Sequence, residues 1–199
     1  LINIRLPINF NSPYKAINIQ DFWRRWHITL SKFLRDYIYI PLGGNRYSFI
    51  KKNRNILITF LLGGIWHGAG WTFILWGGLH GIALIILNFW RKIGVKIPTF
   101  FAWLITFNFI NITWVFFRAE DFDKAMKILS AMFGFTSKPV PLDYIDSMSL
   151  IFGVPLLSHI SEFSTNSILP PYLLLYLVIL ILFVLFANNV NKIYRTSTI

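Results

Sequence analysis

Three long runs of the chain contain no Asp, Glu, Lys or Arg: residues 55–90, 97–117 and 163–191. A helix needs about 20 mostly apolar residues to cross the hydrocarbon core of a bilayer, so each run is long enough for a span. The first run would measure about 54 Å as one straight helix, which exceeds a hydrocarbon core of roughly 30 Å. It must therefore tilt, break or re-enter, and we expect the break at the glycines that follow residue 62, namely Gly63, Gly64, Gly68 and Gly70.

The segment before these runs has a helical pattern of apolar and polar positions. At 100° per residue between Asp21 and Tyr37, apolar side chains fall on one arc and basic side chains on the opposite arc. The pattern predicts a basic amphipathic helix in the membrane interface, although packing against other helices of the same protein would produce the same pattern. We expect this helix to end near Pro41 and a basic loop, residues 46–54, to follow. Residues 1–18, with two prolines and several asparagines, predict an irregular interfacial lead-in.

The remaining pattern predicts a conventional span at 97–117, a short helix at 121–133, a loop at 134–167 and a transmembrane helix within 168–191. The predicted fold is therefore all-α: a polytopic membrane protein with transmembrane helices, interfacial amphipathic helices and, as a further option, re-entrant helices. We expect residues 1–199 to form one membrane-embedded segment, with an interfacial basic region at 1–54 and a core with spans at 55–133. The chain begins at Leu1 rather than Met, so we expect a fragment of a longer protein.

Composition supports the membrane assignment and limits the chemistry. Apolar side chains make up 55% of the residues and charged ones only 14%, which is outside the usual range of soluble domains. A net charge of +11 would suggest nucleic acid for a soluble protein, but ten of the 19 basic residues lie between Arg5 and Arg54. Positive-inside placement and anionic lipid explain that cluster, so we expect a cytoplasmic position, lipid contact and no nucleic-acid partner. The absence of cysteine excludes thiolate nucleophiles and Cys-ligated metals.

Histidines are the candidate chemical groups, because ionisable side chains at membrane depth are costly. His67 lies within GGIWHGAGW, where a neutral imidazole could accept a proton from a hydroxyl group. A histidine that only hydrogen-bonds between packed helices is the competing interpretation. His80 lies 13 residues further on, also flanked by glycines, and we expect it to be a helix-contact residue. His27 lies at the border of the two arcs. No metal site is expected, because no carboxylate cluster accompanies these histidines.

Three segments resemble the membrane-bound O-acyltransferase family. They are DFWRRWHITLSKFLRDYIYIPLGGNR at residues 21–46, RNILITFLLGGIWHGAGWTFILWGGLHG from residue 54, and WVFFRAEDFDKAMKILSAMF at residues 114–133. The resemblance is greatest to the bacterial branch that contains alginate O-acetyltransferase and the related peptidoglycan and teichoic-acid acylation proteins. It covers most of residues 1–133, whereas the remainder matches only in its pattern of a loop followed by a span.

The resemblance implies a tunnel that brings an acyl thioester from the cytoplasm to a hydroxyl acceptor outside, in the bacterial inner membrane. The family's near-invariant histidine falls on His67, within a catalytic core at 55–133, and its second polar position falls on His27. The implied donor is acetyl-CoA or another acyl thioester, with no bound cofactor. The implied acceptor is a polysaccharide, and the implied partner is an extracytoplasmic acetyltransferase. Four basic residues could meet the phosphates of coenzyme A or could equally face lipid: Arg24, Arg25, Lys32 and Arg35.

Two other functions remain open from the residues alone. A transporter or channel could use embedded histidines to relay protons or to line a path. The segment could also be an inactive subunit or packing scaffold in which both histidines are structural. Substitution of His67 in the full-length protein separates these possibilities, because only for the enzyme should it abolish acetyl-ester formation while membrane insertion persists.

Overall fold

A computed structural model describes residues 7–133 and residue 135 of the chain. Apart from residue 135, the loop predicted at 134–167 lies outside the described residues, as does the helix predicted at 168–191. The chain divides into two compact units after Leu129, and the helices described below belong to the first unit up to that residue. Within the described residues there are six α-helices and no strand: α1 Ile19–Arg25, α2 Ile28–Leu34, α3 Phe49–His67, α4 Trp71–Ile93, α5 Thr99–Arg118 and α6 Phe122–Met132.

Two short helices, α1 and α2, occupy the segment for which the sequence predicts one amphipathic helix. The backbone leaves the helical conformation at Trp26 and His27, so the single helix predicted from Asp21 to Tyr37 is wrong. Residues of the lead-in replace the lost helical hydrogen bonds: the Asn11 N–H donates to the Arg25 carbonyl at 2.9 Å. Both short helices still present their apolar sides to the core, which explains why the sequence periodicity continues across the break.

The helical segment that follows α2 ends near Pro41, as the sequence predicts. Residues Arg35–Tyr39 form one π-helical turn, and a tight turn follows that includes Gly43 and Gly44. The φ angles of these glycines are 104° and 54°, in the left-handed region that glycine adopts without strain. The expected helix end near Pro41 is therefore confirmed.

Helix α3 starts earlier than the sequence pattern indicates. Ser48 caps it by accepting a hydrogen bond from the Lys51 N–H, so most of the loop predicted at 46–54 is helical instead. Lys51, Lys52 and Arg54 lie on its first two turns. Long basic side chains can lie along a helix and keep their charge at the membrane surface, so their presence did not mark a loop.

Helices α3 and α4 form an antiparallel hairpin whose backbones approach closely. The expected break within residues 55–90 is confirmed, because α3 ends at His67 and α4 begins at Trp71. A Cβ atom on Gly64 would lie 2.4 Å from the Phe73 carbonyl oxygen, and one on Gly77 would lie 2.3 Å from the Phe60 carbonyl oxygen. Only glycine therefore allows this approach, as small residues do at many membrane helix interfaces.

Two described helices are long and apolar enough to cross a membrane, namely α4 and α5, each with a mean hydropathy of 1.7. Only 33% and 28% of their most apolar stretches are buried within the protein, which leaves large apolar side chains facing outward. Such continuous apolar surface is rare on soluble monomers and suits contact with lipid. The helices predicted at 97–117 and 121–133 are confirmed, and the first is long and apolar enough to span a membrane. The crossing itself and re-entrant helices stay predictions.

Candidate active site

His27 lies in the break between α1 and α2, with a backbone conformation that is unusual for a residue other than glycine. Its φ and ψ angles are 42° and 57°, in the left-handed region. Asn9 stabilises the break, since its carbonyl accepts from the Ile28 N–H and its side chain accepts from both the N–H and the hydroxyl of Thr29 at 3.0 Å. Strained residues of this kind cluster at functional sites, where the surrounding structure holds them in place.

His67 is the last residue of α3 and is half-buried at the turn into α4. Its imidazole contacts the rings of Trp66, Trp76 and Phe117, with centroid distances of 4.9, 5.2 and 5.1 Å. Gly68 follows immediately and lets the Phe73 ring pack against the turn, because a Cβ atom there would lie 2.6 Å from that ring. The hairpin turn therefore places one imidazole edge-on against three aromatic rings while leaving it partly accessible.

The structure brings His27 and His67 into the same region. An aromatic layer connects their surroundings: Trp26, next to His27, contacts Trp114 at 5.0 Å, and Trp114 contacts the Phe117 ring at 5.4 Å. Two residues 40 positions apart in sequence are thus linked by three ring contacts, from Trp26 through Trp114 and Phe117 to His67. Their roles in a catalytic site stay a prediction.

A cavity of about 520 Å³ opens beside α1, α2, α3 and α4. Five cationic side chains line it, and no Asp or Glu of the described residues does: Arg24, Lys32, Arg35, Lys52 and Arg91. We call it the basic cavity. Its apolar wall includes Trp23 and Phe60, and neither His27 nor His67 lines it. Three of the four basic residues selected from sequence therefore share one cavity.

Arg25, the fourth of those residues, has another position. Its guanidinium forms an ion pair with Asp21 at 2.9 Å and does not line the basic cavity. Arg35 donates to Asp36 at 2.7 Å, and this hydrogen bond lowers the pKa of the Asp36 carboxyl. The other cations of the cavity form no salt bridge within the described part of the chain. An anion entering the cavity would therefore meet positive charge that is not already neutralised.

Lys52 and Arg91 are the cavity residues that the sequence pattern did not reveal. Lys52 donates to the Asn88 side chain at 3.2 Å, and Arg91 donates to Gln20 at 2.7 Å. Both partners are neutral amides, so neither cation loses its charge to its partner. One sequence feature could have indicated these residues: Asn88 and Arg91 lie three residues apart, so they share one face of a helix. That spacing indicates a cavity only when the structure shows that α3 packs beside this face.

His80 is buried in the helix contact predicted for it. Its Nδ1 accepts a hydrogen bond from the Trp23 indole at 3.2 Å, and its ring contacts Phe109 of α5 at 5.5 Å. Burial makes a charged imidazole unfavourable at such a site. In the part of the chain that the structure describes, no group of three or more His, Cys, Asp or Glu side chains could hold a metal ion.

The model of the membrane-bound O-acyltransferase family matches residues 3–119, which include both histidines and the whole basic cavity. The chain is 62% identical over 136 residues to the peptidoglycan O-acetyltransferase of Helicobacter pylori, an alignment covering 66% of this chain and 26% of that protein. It is 48% identical over 139 residues to the probable alginate O-acetylase AlgI of Pseudomonas aeruginosa, covering 68% of this chain and 26% of that protein. It is 32% identical over 137 residues to the teichoic acid D-alanyltransferase of Bacillus subtilis, covering 61% and 35%.

Helical architecture and apolar outer surface define the class as that of membrane-bound helical proteins. Within that class, the chain belongs to the membrane-bound O-acyltransferase family. It spans only about a quarter to a third of the length of these relatives. All three are named for acyl transfer, and nothing found supports the alternative of a transporter or channel.

Proposed function

We propose that the protein to which this chain belongs transfers an acyl group, expected to be acetyl, from a cytoplasmic thioester to hydroxyl groups of an exported cell-envelope polymer. The observation that carries this proposal is the position of His67 inside the family match, half-buried among aromatic rings. Such a setting limits contact with bulk water and leaves the imidazole partly accessible for proton transfer. We place the protein in the bacterial inner membrane as a multi-pass enzyme.

His67 acts as the base in the proposed reaction. It takes the proton of the acceptor hydroxyl while the hydroxyl oxygen attacks the thioester carbonyl carbon, whose π electrons move to the carbonyl oxygen. The tetrahedral intermediate then expels the thiolate, which takes the proton from the His67 imidazolium. An ester and a free thiol result. His27 orients the reacting groups or stabilises the charge that develops between them.

The basic cavity supplies a binding site for the phosphate groups of an acyl donor such as acetyl-CoA. Arg24, Lys32 and Lys52 offer charge-assisted hydrogen bonds to phosphate oxygens. The aromatic wall connects this cavity with the proposed base: Trp23, which lines the cavity, contacts Trp76 at 5.9 Å, and Trp76 contacts His67 at 5.2 Å. A donor held by its phosphates in the basic cavity would therefore lie two ring contacts away from His67.

The acceptor is proposed from the relatives, whose names specify peptidoglycan, alginate and teichoic acid. Each is a hydroxyl-bearing polymer of the cell envelope or its surroundings. We therefore propose a polysaccharide acceptor outside the membrane, reached together with an extracytoplasmic partner acetyltransferase. Lipid surrounds the apolar faces of α4 and α5.

Substitution of His67 in the full-length protein tests the function. His67→Ala and His67→Gln should both abolish O-acetyl esters on the exported polymer, because neither side chain can act as a base near neutral pH. Esters are measured by mild alkaline release of acetate from each purified envelope polymer. Immunoblots of membrane fractions check that the variants still insert.

His67→Gln is the decisive variant, because glutamine keeps a hydrogen-bonding side chain at the end of α3. Normal ester content in this variant would refute the catalytic role and leave a packing role for the histidine. His159→Ala is a matched control, since that histidine lies outside every motif shared with the family.

A further inference from the structure

Buried N–H groups without hydrogen-bond partners lie next to the proposed base. Among the described residues, four side-chain nitrogens are closed to solvent and have no partner: the indole nitrogens of Trp76 and Trp114, Nε2 of His80 and Nδ1 of His27. The Nδ1 atom of His80 already accepts from Trp23, so its proton lies on Nε2. Unpaired buried donors cost free energy and are rare in native proteins, so each requires an explanation.

Two of these donors surround the same ring as His67. The Phe117 ring lies 5.1 Å from His67, 5.1 Å from Trp76 and 5.4 Å from Trp114. Trp114 also contacts Trp26, the neighbour of His27, at 5.0 Å. The two unpaired indole N–H groups therefore belong to the aromatic layer that contacts His67 on one side and Trp26, next to His27, on the other.

The surrounding contacts hold Trp76 in one orientation. It is 2% exposed and packs against His80 at 4.8 Å, and that imidazole is itself held by Trp23 from α1. Preorganised donors of this kind stabilise developing charge without a cost of reorganisation during the reaction. An indole N–H only donates and carries no charge, so it suits a negatively charged oxygen in an apolar layer.

We propose that the indole N–H groups of Trp76 and Trp114 donate hydrogen bonds to the carbonyl oxygen of the transferred acyl group as that oxygen becomes negatively charged. This inference rests on the proposed acyl transfer and names two residues that stabilise its tetrahedral intermediate. It requires the Phe117 ring to shift when the substrates bind, because that ring packs against His67 and against both indoles. The alternative is that each indole N–H donates to the face of a neighbouring aromatic ring and has no part in the reaction.

Phenylalanine substitutions test the inference, because they remove the N–H and keep an aromatic ring. In the purified full-length protein, Trp76→Phe and Trp114→Phe should each lower kcat for acyl transfer by about 10²–10³-fold, the loss seen when one such donor is removed. KM should change little, because the hydrogen bond forms only in the transition state. Thermal stability should stay the same or rise, since a buried unpaired donor has been removed.

Trp71→Phe and Trp90→Phe are matched controls, because both indoles lie away from His67: Trp71 is 82% exposed, and the Trp90 indole donates to the Val95 carbonyl at 2.8 Å. Controls that retain kcat alongside losses at Trp76 and Trp114 would support the inference. Retention of kcat within about twofold in Trp76→Phe and Trp114→Phe would overturn it, because a transition-state donor is worth far more. Losses that appear only as raised KM with lowered stability would also overturn it, since they indicate packing.

The two proposals fail in different ways. If the unsubstituted protein forms no acyl esters, or His67→Gln retains activity, the proposed function fails. If that function holds and the tryptophan variants retain kcat, only the assignment of the indole donors fails.

Discussion

Gly77 lies where the backbones of α3 and α4 meet, and an added methyl group there should separate the two helices. In Gly77→Ala the new Cβ atom would lie 2.3 Å from the Phe60 carbonyl oxygen, whereas ordinary contacts begin near 3.4 Å. Relief of this overlap requires a displacement of about 1 Å, and overpacking of this kind typically costs about 1–3 kcal/mol. Gly78 provides the control, because a Cβ atom there meets only the Leu61 side chain at 3.5 Å.

Thermal unfolding of the full-length protein in detergent, followed by tryptophan fluorescence, measures this effect. Gly77→Ala should lower the midpoint by several degrees, and Gly78→Ala should leave it unchanged. Transfer activity should fall in Gly77→Ala as well, since α3 carries His67, α4 carries Trp76, and a misplacement of about 1 Å can cost about 10²-fold in rate. Equal midpoints for the two variants would refute the close approach of the helices.

Two further predictions concern the basic cavity and the strained histidine. Lys52→Ala should raise KM for a phosphate-bearing acyl donor by about 10-fold or more through loss of one charge-assisted hydrogen bond. Lys51→Ala should leave this KM unchanged, because the ammonium of Lys51 lies over the Tyr47 ring instead. If both variants have the same KM in steady-state assays, the donor binds elsewhere. His27→Gly and His27→Ala should both impair transfer, but the glycine variant should unfold at a higher midpoint because it relieves about 1 kcal/mol of strain. Indistinguishable midpoints would contradict that strain.

Local pattern was sufficient for much of the fold and for the choice of candidate histidine. Charge-free runs longer than a bilayer thickness predicted the membrane class, and the glycines after residue 62 predicted the break that ends α3 at His67. These inferences depend on span length and backbone freedom, which are properties of short stretches of sequence. The motif around His67 resembled the acyltransferase family directly, and the family match confirmed that resemblance.

Local pattern failed where contacts distant in sequence decide the conformation. The helix break at His27 depends on hydrogen bonds from Asn9 and Asn11, which no helical periodicity reports. The early start of α3 placed Lys52 beside Arg91 of α4, and so created a basic cavity from residues that are remote in sequence.

The amino-acid sequence by itself therefore determined the all-helical membrane class, the family and the two histidines worth testing. Tertiary structure alone decided that one aromatic layer contacts both His67 and Trp26, next to His27, and that Arg25 pairs with Asp21 outside the basic cavity. It also decided that the indole N–H groups of Trp76 and Trp114 are buried without partners. The physical reason is that helix formation and membrane insertion depend on short stretches of sequence. The environment of a side chain depends instead on which helices pack together.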